Sequence, residues 1–242
     1  MSLNPPPIQA GTLGPLPDFW SVFVQEVLEL TVKAYLDLDA AKVVRSDWEE
    51  DTFTLHLVKH LRKLAPSSPL SLTVGYQILV TTDEMLLGIQ SPKSGVKIDI
   101  ELWGNWEDYN RIYFAWEAKL IVDAYRIPEH ERLQREYVTK GIFRFIDSEY
   151  SHDVAEAGML GYVLYGNPSD IVVDINKVML LPHTRPKAPK GTPPRALTLQ
   201  ENLQLAASIG PFNAVYESLH PRAIDNRIIQ LDHLLLTFDF AP

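Results

Sequence analysis

Two stretches, Lys97–Trp103 (KIDIELW) and Ile112–Val122 (IYFAWEAKLIV), decide the fold of this chain. In both stretches every even-numbered position is apolar. The odd-numbered positions carry the charged residues Asp99, Glu101, Glu117 and Lys119. Alternation with a period of two predicts β-strands. Because carboxylates in the middle of a strand are costly to desolvate without a partner, the polar face is suited to a divalent cation.

The segment between these stretches has the composition of a connection. Gly104–Arg111 (GNWEDYNR) is rich in Gly, Asn and Asp, so the two strands are expected to form a hairpin. Leu70–Val80 also alternates and predicts a preceding strand. The centre of the chain should therefore contain three antiparallel strands.

Helices are expected before these strands. Asp18 is placed to cap a core helix, and the acidic stretch from Ser46 opens a second one. The apolar positions of the second helix are Phe53, Leu57, Leu61 and Leu64. Counting back four residues from Phe53 reaches Glu49, so Glu49 rather than Glu50 is predicted to lie in line with the buried stripe.

After the hairpin, the spacing of the apolar residues no longer follows a period of two. A helix is expected from Pro128, broken or re-aimed near Gly141, because the apolar positions shift there. Val154–Tyr165 is predicted to be a further helix, capped by Asp153, with glycines for close approach to a neighbour. The short apolar run Lys177–Leu181 predicts a buried strand.

The remaining segments complete the organisation. His183–Arg195 is a proline-rich, basic loop, Thr198–Glu201 has the capping-box pattern, and Ile228–Phe240 predicts a buried strand. Residues 1–17 form a proline-rich leader, and residues 18–242 are expected to form a single domain. The fold class is α/β or α+β around a central mixed sheet flanked by helices.

Composition excludes several classes of protein. The chain of 242 residues has a net charge of −9, so bulk electrostatic coating of nucleic acid is disfavoured. The absence of cysteine excludes thiolate metal sites and leaves oxygen or imidazole ligands. Neither a transmembrane run nor a signal peptide is visible, which favours a cytoplasmic protein without a membrane partner.

The polar face of the hairpin has the parts needed for phosphodiester hydrolysis. Pairing of the strands brings Asp99 close to Glu117, since opposite residues are about 5 Å apart. Two carboxylates suit Mg²⁺, which prefers hard oxygen ligands. Lys119 points the same way and is placed to orient or deprotonate an attacking water and to offset negative charge.

Asp99, followed by Glu117-Ala118-Lys119 in a strand and preceded by a helix bearing Glu49, resembles the PD-(D/E)XK nuclease superfamily, which has the restriction-endonuclease-like fold. The resemblance implies an αβββαβ core over residues 46–181, with residues 182–242 as an extension. It also implies that Asp99, Glu117 and the Ala118 carbonyl bind Mg²⁺ or Mn²⁺, that Lys119 is catalytic and that Glu49 supports them. Ile98 stands where the family has proline.

The function implied by this resemblance is an endonuclease that cleaves DNA, as the cutting component of a prokaryotic defence or restriction-type system. Since the chain is acidic, binding to DNA is expected to depend on a homodimer or on a partner protein that recognises the target. One alternative is a catalytically inactive subunit of the same fold that serves as a scaffold. Others are a protein that binds a sugar or small ligand, and a sheet face that carries only surface ion pairs.

Several further residues are secondary candidates for the site. Glu101 shares the parity of Asp99. The resemblance implies that a polar residue on the helix after the hairpin reaches the site, and a later segment, if extended, aligns side chains suited to phosphate. The residues concerned are Gln134, Tyr137, Lys140, Ser218, His220 and Arg222. His233 is interpreted as a core histidine. The basic residues available for DNA are Arg185, Lys187, Lys190 and Arg195, and the aromatic residues near the hairpin turn are Trp103, Trp106 and Tyr109.

Overall fold

The computed structural model describes residues 16–81, 83–87, 89, 91, 93, 95–104, 112–123, 129–147, 154–184 and 193–240. Its helices are α1 (Leu16–Ala40), α2 (Glu50–Leu64), α3 (Asp83–Leu86), α4 (His130–Tyr137), α5 (Phe143–Ile146) and α6 (Pro168–Met179). Its strands are β1 (Thr73–Leu79), β2 (Lys97–Gly104), β3 (Ile112–Val122), β4 (Glu156–Tyr165), β5 (Gln204–Leu205), β6 (Val215–Pro221) and β7 (Ile228–Thr237). A π-helical turn, Val138–Ile142, joins α4 to α5.

The strands form one mixed sheet of seven in the order β1-β2-β3-β4-β7-β6-β5. The first three strands are antiparallel, as the sequence predicts. Strand β4 then runs parallel to β3, and β7 runs parallel to β4. The connection at residues 105–111 and residues 1–15 of the expected leader lie outside the described residues. The predicted boundary after residue 17 is wrong by two residues, because α1 already begins at Leu16.

Helices cover both faces of this sheet. On one face Phe53 of α2 stacks on Tyr162 of β4, with ring centroids 5.0 Å apart. On the other face the backbone at Gly141 approaches so closely that a Cβ there would lie 2.3 Å from Met159 Cε. Since Met159 and Tyr162 are three residues apart in a strand, they point to opposite faces. Glu117, which pairs with Met159, and Lys119 therefore lie on the face that α4 and the π-helical turn cover.

The prediction of a helix at Val154–Tyr165 is wrong, because Glu156–Tyr165 is strand β4. Seven consecutive residues of β4 are buried, so the segment shows a continuous apolar run rather than alternation. Such a run does not by itself distinguish a central strand from a buried helix. Close approach at Gly158 is nevertheless present, since a Cβ there would lie 2.2 Å from the Trp116 ring. The expected cap, Asp153, lies outside the described residues.

The prediction of a strand at Lys177–Leu181 is also wrong, because that run is the end of helix α6 and the residues after it. Asn167 caps α6 by accepting a hydrogen bond from the Ser169 backbone N–H, and Pro168 occupies the first turn. The buried positions Ile171, Ile175 and Met179 recur every four residues. The last strand of the predicted core is therefore β4, earlier in the chain than expected.

Two further features agree with the predictions from the sequence. The expected break near Gly141 is confirmed as the π-helical turn, and the capping box of Thr198 and Glu201 is confirmed at a 3₁₀ turn, Leu199–Glu201. Among the described helices, each is too short or too polar to span a bilayer.

Candidate active site

The candidate site lies where strand β2 separates from β3. Paired residues of the two strands extend from Gly104 and Ile112 to Ile100 and Trp116. Beyond that point two carboxylates take the backbone N–H groups of β3: Asp99 Oδ2 accepts from Ala118 at 2.8 Å, and Glu50 Oε2 accepts from Leu120 at 3.2 Å. These acids satisfy donors that a continued strand would otherwise have bonded.

Lys119 lies at the centre of this opening. Its Nζ is 2.8 Å from Glu117 Oε1 and 3.0 Å from Glu50 Oε1, and it also donates to the carbonyl of Ala118. The Lys119 side chain is 9% exposed and that of Glu117 is 0% exposed. Oxygen atoms from three residues therefore converge on one buried ammonium group.

A second cation, Arg144, reaches the same carboxylate. Its Nη1 donates to Glu117 Oε1 at 2.8 Å, and its side chain is 31% exposed. Arg144 belongs to α5, directly after the π-helical turn. We refer to Glu50, Asp99, Glu117, Lys119 and Arg144 as the β2–β3 cluster.

The register argument that favoured Glu49 over Glu50 is wrong. Glu49 is the N-cap of α2, with extended backbone angles (φ −75°, ψ 158°), and it is exposed. The helical period does not apply to a residue outside the helix. Glu50, the first residue of α2, instead points to Lys119 and to the backbone of Leu120.

Burial and the charges within the β2–β3 cluster change the pKa values of its side chains. Burial raises the pKa of Asp99 to about 7, and the neighbouring Glu117 carboxylate adds to the increase. Burial alone would lower the pKa of Lys119, but Glu117, Glu50 and Asp99 raise it above its ordinary value. Lys119 is therefore an ammonium group at neutral pH, while Asp99 titrates near neutrality.

The oxygen atoms around Lys119 have the chemistry that a hard divalent cation requires. The donors available are the carboxylates of Asp99, Glu117 and Glu50 and the carbonyl of Ala118, which suit Mg²⁺ in type. Lys119 Nζ takes up the point at which oxygens of Glu50, Glu117 and Ala118 converge. Within the described ranges, no group of three or more His, Asp or Glu side chains is already arranged around a metal position.

The secondary candidates on neighbouring elements make other contacts. Glu101 is buried opposite Ala115, two positions further along the hairpin from the Asp99 level. Gln134 is buried, with Nε2 3.5 Å from the Val122 carbonyl, and the exposed Lys140 pairs with Glu136 at 2.9 Å. The contacts of Gln134 and Lys140 are therefore with groups outside the β2–β3 cluster.

Ser218 and His220 belong instead to a buried chain of polar side chains that starts at Tyr137. Tyr137 Oη is 2.8 Å from His233 Nδ1, and His233 Nε2 is 2.7 Å from Ser218 Oγ. Ser218 Oγ is also 2.8 Å from His220 Nε2, and His220 Nδ1 is 3.3 Å from Glu201 Oε1. We call these five residues the β6–β7 network. All five are buried.

The carboxylate at one end assigns the proton positions along the β6–β7 network. Glu201 only accepts, so His220 donates from Nδ1, and its Nε2 then accepts from the Ser218 hydroxyl. Ser218 Oγ in turn accepts from His233 Nε2–H, and His233 Nδ1 accepts from Tyr137. Burial lowers the pKa of both histidines, which keeps them neutral. The interpretation of His233 as a core histidine is confirmed by its complete burial.

Contacts at the Glu201 end complete the β6–β7 network. Burial alone would raise the pKa of Glu201, but hydrogen bonds from His220 and the Thr198 backbone lower it to about 2. Arg195, one of the basic residues considered for DNA contact, pairs with Glu201 at 3.0 Å.

Ser218, His220 and Glu201 have the residue types of a hydrolytic triad. However, Ser218 is 2% exposed and is hydrogen-bonded to both imidazoles, so a substrate cannot reach it.

The other residues considered for phosphate or DNA contact fall into two groups. Arg222 is 1% exposed and donates to the backbone carbonyls of Phe145 and Val154, at 3.3 and 2.6 Å. It therefore ties the β6–β7 hairpin to the residues before β4. The residues that lie outside the described part are Trp106, Tyr109, Arg185, Lys187 and Lys190.

A surface pocket of about 300 Å³ lies elsewhere, between the start of α6 and strands β5 and β6. Its lining includes Asn167, Ser169, Leu205 and Tyr216 and contains no acidic or basic side chain. Acid–base and metal chemistry need such side chains, so the β2–β3 cluster is the better candidate site.

Sequence reasoning missed Glu50 and Arg144. The signal for Arg144 is a single cation within the otherwise apolar run Ile142–Ile146, on the helix that follows the motif strand. A charged residue within a buried run requires a partner, and Glu117 provides one.

Comparison of this chain with protein-family models, curated protein sequences and solved structures gives no match.

Proposed function

We propose that this chain is a Mg²⁺-dependent nuclease of the PD-(D/E)XK type that hydrolyses phosphodiester bonds in DNA. The observation that carries the proposal is the convergence of Asp99, Glu117 and Lys119 where β2 separates from β3. A buried cluster of acids with one titrating near neutrality is typical of functional sites.

The order of elements gives further support. Apart from the four-residue helix α3 between β1 and β2, the elements from α2 to β4 run in the order α-β-β-β-α-β, if α4, the π-helical turn and α5 are taken as one helical stretch. This is the order of the core implied by the sequence resemblance. The four strands are neighbours in the order β1-β2-β3-β4. The motif residues lie on the central pair of these strands, β2 and β3.

Each residue of the site has a distinct role in this proposal. Asp99, Glu117 and the Ala118 carbonyl would hold the cation, with Glu50 in the supporting position that the resemblance assigned to Glu49. Mg²⁺ bound there would supply an acidified water and neutralise charge on the phosphate. Because Lys119 is protonated, it donates hydrogen bonds to phosphate oxygens and offsets their developing charge rather than accepting a proton.

The test is cleavage of supercoiled plasmid DNA in the presence of Mg²⁺ or Mn²⁺. Asp99→Asn and Lys119→Met are each expected to reduce the rate by about 100-fold or more, as loss of a group that stabilises transition-state charge does. Lys33→Met, which changes an exposed lysine on α1, is the matched control and should retain wild-type activity. Equal cleavage by all four proteins would contradict the proposal.

A second candidate function is a catalytically inactive subunit of the same fold that acts as a scaffold. The observation in its favour is that Lys119 and Arg144 already neutralise Glu117 within the chain. Thermal unfolding with and without Mn²⁺ separates the two functions, because a ligand that binds only the native state raises Tm. A scaffold predicts an unchanged Tm, whereas the nuclease predicts an increase that Glu117→Gln abolishes.

A further inference from the structure

One oxygen atom in the β2–β3 cluster is shared between two cations. Glu117 Oε1 lies 2.8 Å from Lys119 Nζ and 2.8 Å from Arg144 Nη1. A carboxylate oxygen offers about two lone-pair positions, so these two contacts fill the capacity of Oε1. Binding of a further cation at this atom therefore requires that one of the two present cations leaves.

The two cations differ in how firmly they are placed. Lys119 belongs to the central strand β3, is 9% exposed and contacts oxygens of three residues. Arg144 lies on the four-residue helix α5 and is 31% exposed. A partly exposed guanidinium regains hydration when it leaves its partner, whereas a buried ammonium does not. Arg144 is thus the cation that leaves at the lower cost.

We propose that Arg144 is the displaceable counter-ion of Glu117, which leaves Oε1 of this carboxylate when a divalent cation binds that oxygen. The inference rests on the proposed nuclease function and specifies how its metal site is kept neutral without metal. Three acids, Glu50, Asp99 and Glu117, face two cations, so a bound metal must compete with a charge that the chain supplies.

The local backbone explains how Arg144 reaches Glu117. A Cβ on Gly141 would lie 2.3 Å from Met159 Cε and 3.9 Å from Lys119 Cγ, so glycine lets the helix lie directly against the sheet. Arg144 follows three residues later, nearly one helical turn, which carries it to the same side. The π-helical turn that contains Gly141 alters the helical phase, and such turns are frequent at functional sites.

The test is isothermal titration of Mn²⁺ into the wild-type protein, Arg144→Gln and Arg135→Gln. Removal of a competing counter-ion should lower the dissociation constant of Arg144→Gln for Mn²⁺ by about fivefold, the factor expected for one partly exposed ion pair. Arg135 is an exposed arginine on α4, and its replacement should leave the affinity at the wild-type value. A purely structural role for Arg144 would not produce tighter binding.

Three results would overturn the inference. Unchanged or weaker Mn²⁺ binding by Arg144→Gln, with normal binding by the wild type, would overturn it and leave the nuclease proposal standing. Equal tightening in Arg135→Gln would show a general charge effect, with the same consequence. Absence of Mn²⁺ binding in all three proteins would overturn both this inference and the proposed metal site.

A measurement on the wild type keeps the inference testable if Arg144→Gln does not fold. In the ¹⁵N-labelled protein, the Nη–H groups of Arg144 should exchange with solvent faster after Mg²⁺ is added, because Nη1 has left Glu117 Oε1. The Nη–H groups of Arg135 are the internal reference. An exchange rate of Arg144 that Mg²⁺ does not change would contradict displacement.

Discussion

The β2–β3 cluster and the β6–β7 network both place a buried glutamate among polar partners, but they balance charge and protons differently. In the β6–β7 network every contact joins one donor to one acceptor, from Tyr137 to Glu201. In the β2–β3 cluster three acids share two cations, and the pKa of Asp99 is raised to about 7. The first arrangement is complete, whereas the second retains an excess of negative charge.

This difference separates a structural polar cluster from a candidate functional one. A fully paired network lowers the energy of the native state and has no capacity for a ligand. An acidic excess held beneath helices is stabilised further by any cation that enters. Both clusters include residues on the sheet face covered by α4, but they differ in burial. All five residues of the β6–β7 network are buried, whereas the side chains of Glu50 and Arg144 in the β2–β3 cluster are 33% and 31% exposed.

The largest expected effect comes from the same substitution made in each region. Glu201→Gln removes the negative charge and one of the two acceptor oxygens that serve His220, Arg195 and Thr198, and it should destabilise the protein by about 3 kcal/mol. Glu117→Gln relieves repulsion of Asp99 and leaves Lys119 paired with Glu50, so it should cost about 1 kcal/mol or less. Urea unfolding at neutral pH measures both.

Glu29→Gln, on the exposed face of α1, is the control for this pair and should change stability little. A loss for Glu117→Gln as large as that for Glu201→Gln would remove the distinction between the two regions.

The two regions should also change the stability of the protein with pH in opposite directions. The β6–β7 network should lower the stability on the acid side. Burial lowers the pKa of His233 well below its ordinary value, so the unfolded chain binds a proton that the native state does not. Stability is therefore lost as pH falls through about 6.5, by about 2 kcal/mol for this histidine at about pH 5. Urea unfolding of wild type and His233→Gln measures the slope, which should be smaller in the variant. A His130→Gln variant with the same reduction would contradict the assignment to His233.

A smaller effect is expected on the alkaline side, from the β2–β3 cluster. Because the folded pKa of Asp99 is raised to about 7, the native state binds a proton that the unfolded chain has lost, and this stabilisation declines as pH rises from about 4 through about 7. Asp99→Asn lacks that dependence. Relative to wild type it should gain about 1 to 2 kcal/mol between about pH 5 and about pH 8. Parallel stability curves for the two proteins would show that Asp99 titrates normally.

Local patterns were sufficient where an element has one polar and one apolar side. The alternation in Lys97–Trp103 and Ile112–Val122 correctly predicts β2, β3 and their antiparallel pairing. The capping box at Thr198 is correct for the same reason, since its hydrogen bonds join residues three apart. Assignment of Asp99 and Glu117 as metal ligands stays a prediction.

Sequence patterns failed in two situations. In one, an element is buried on all sides, so its polar and apolar faces cannot be distinguished. In the other, the first residue of a helix determines which of two adjacent side chains points to the site. Strand β4 is covered on both faces by helices and on both edges by strands, so its sequence shows no alternation. Glu49 and Glu50 are adjacent, and only the start of α2 between them determines which one faces Lys119. Arg144 joins the site only through its contact with Glu117, which lies 27 residues earlier in the chain.

The sequence by itself determined that Glu117 and Lys119 lie on the same face of β3, because side-chain direction in a strand follows from position alone. Only the tertiary structure decided that Glu50 and Arg144 complete the cluster, and that Ser218 and His220 are closed within a network beneath α4. Those contacts join elements distant in the chain. Their formation depends on how helices pack on the sheet, which no local period encodes.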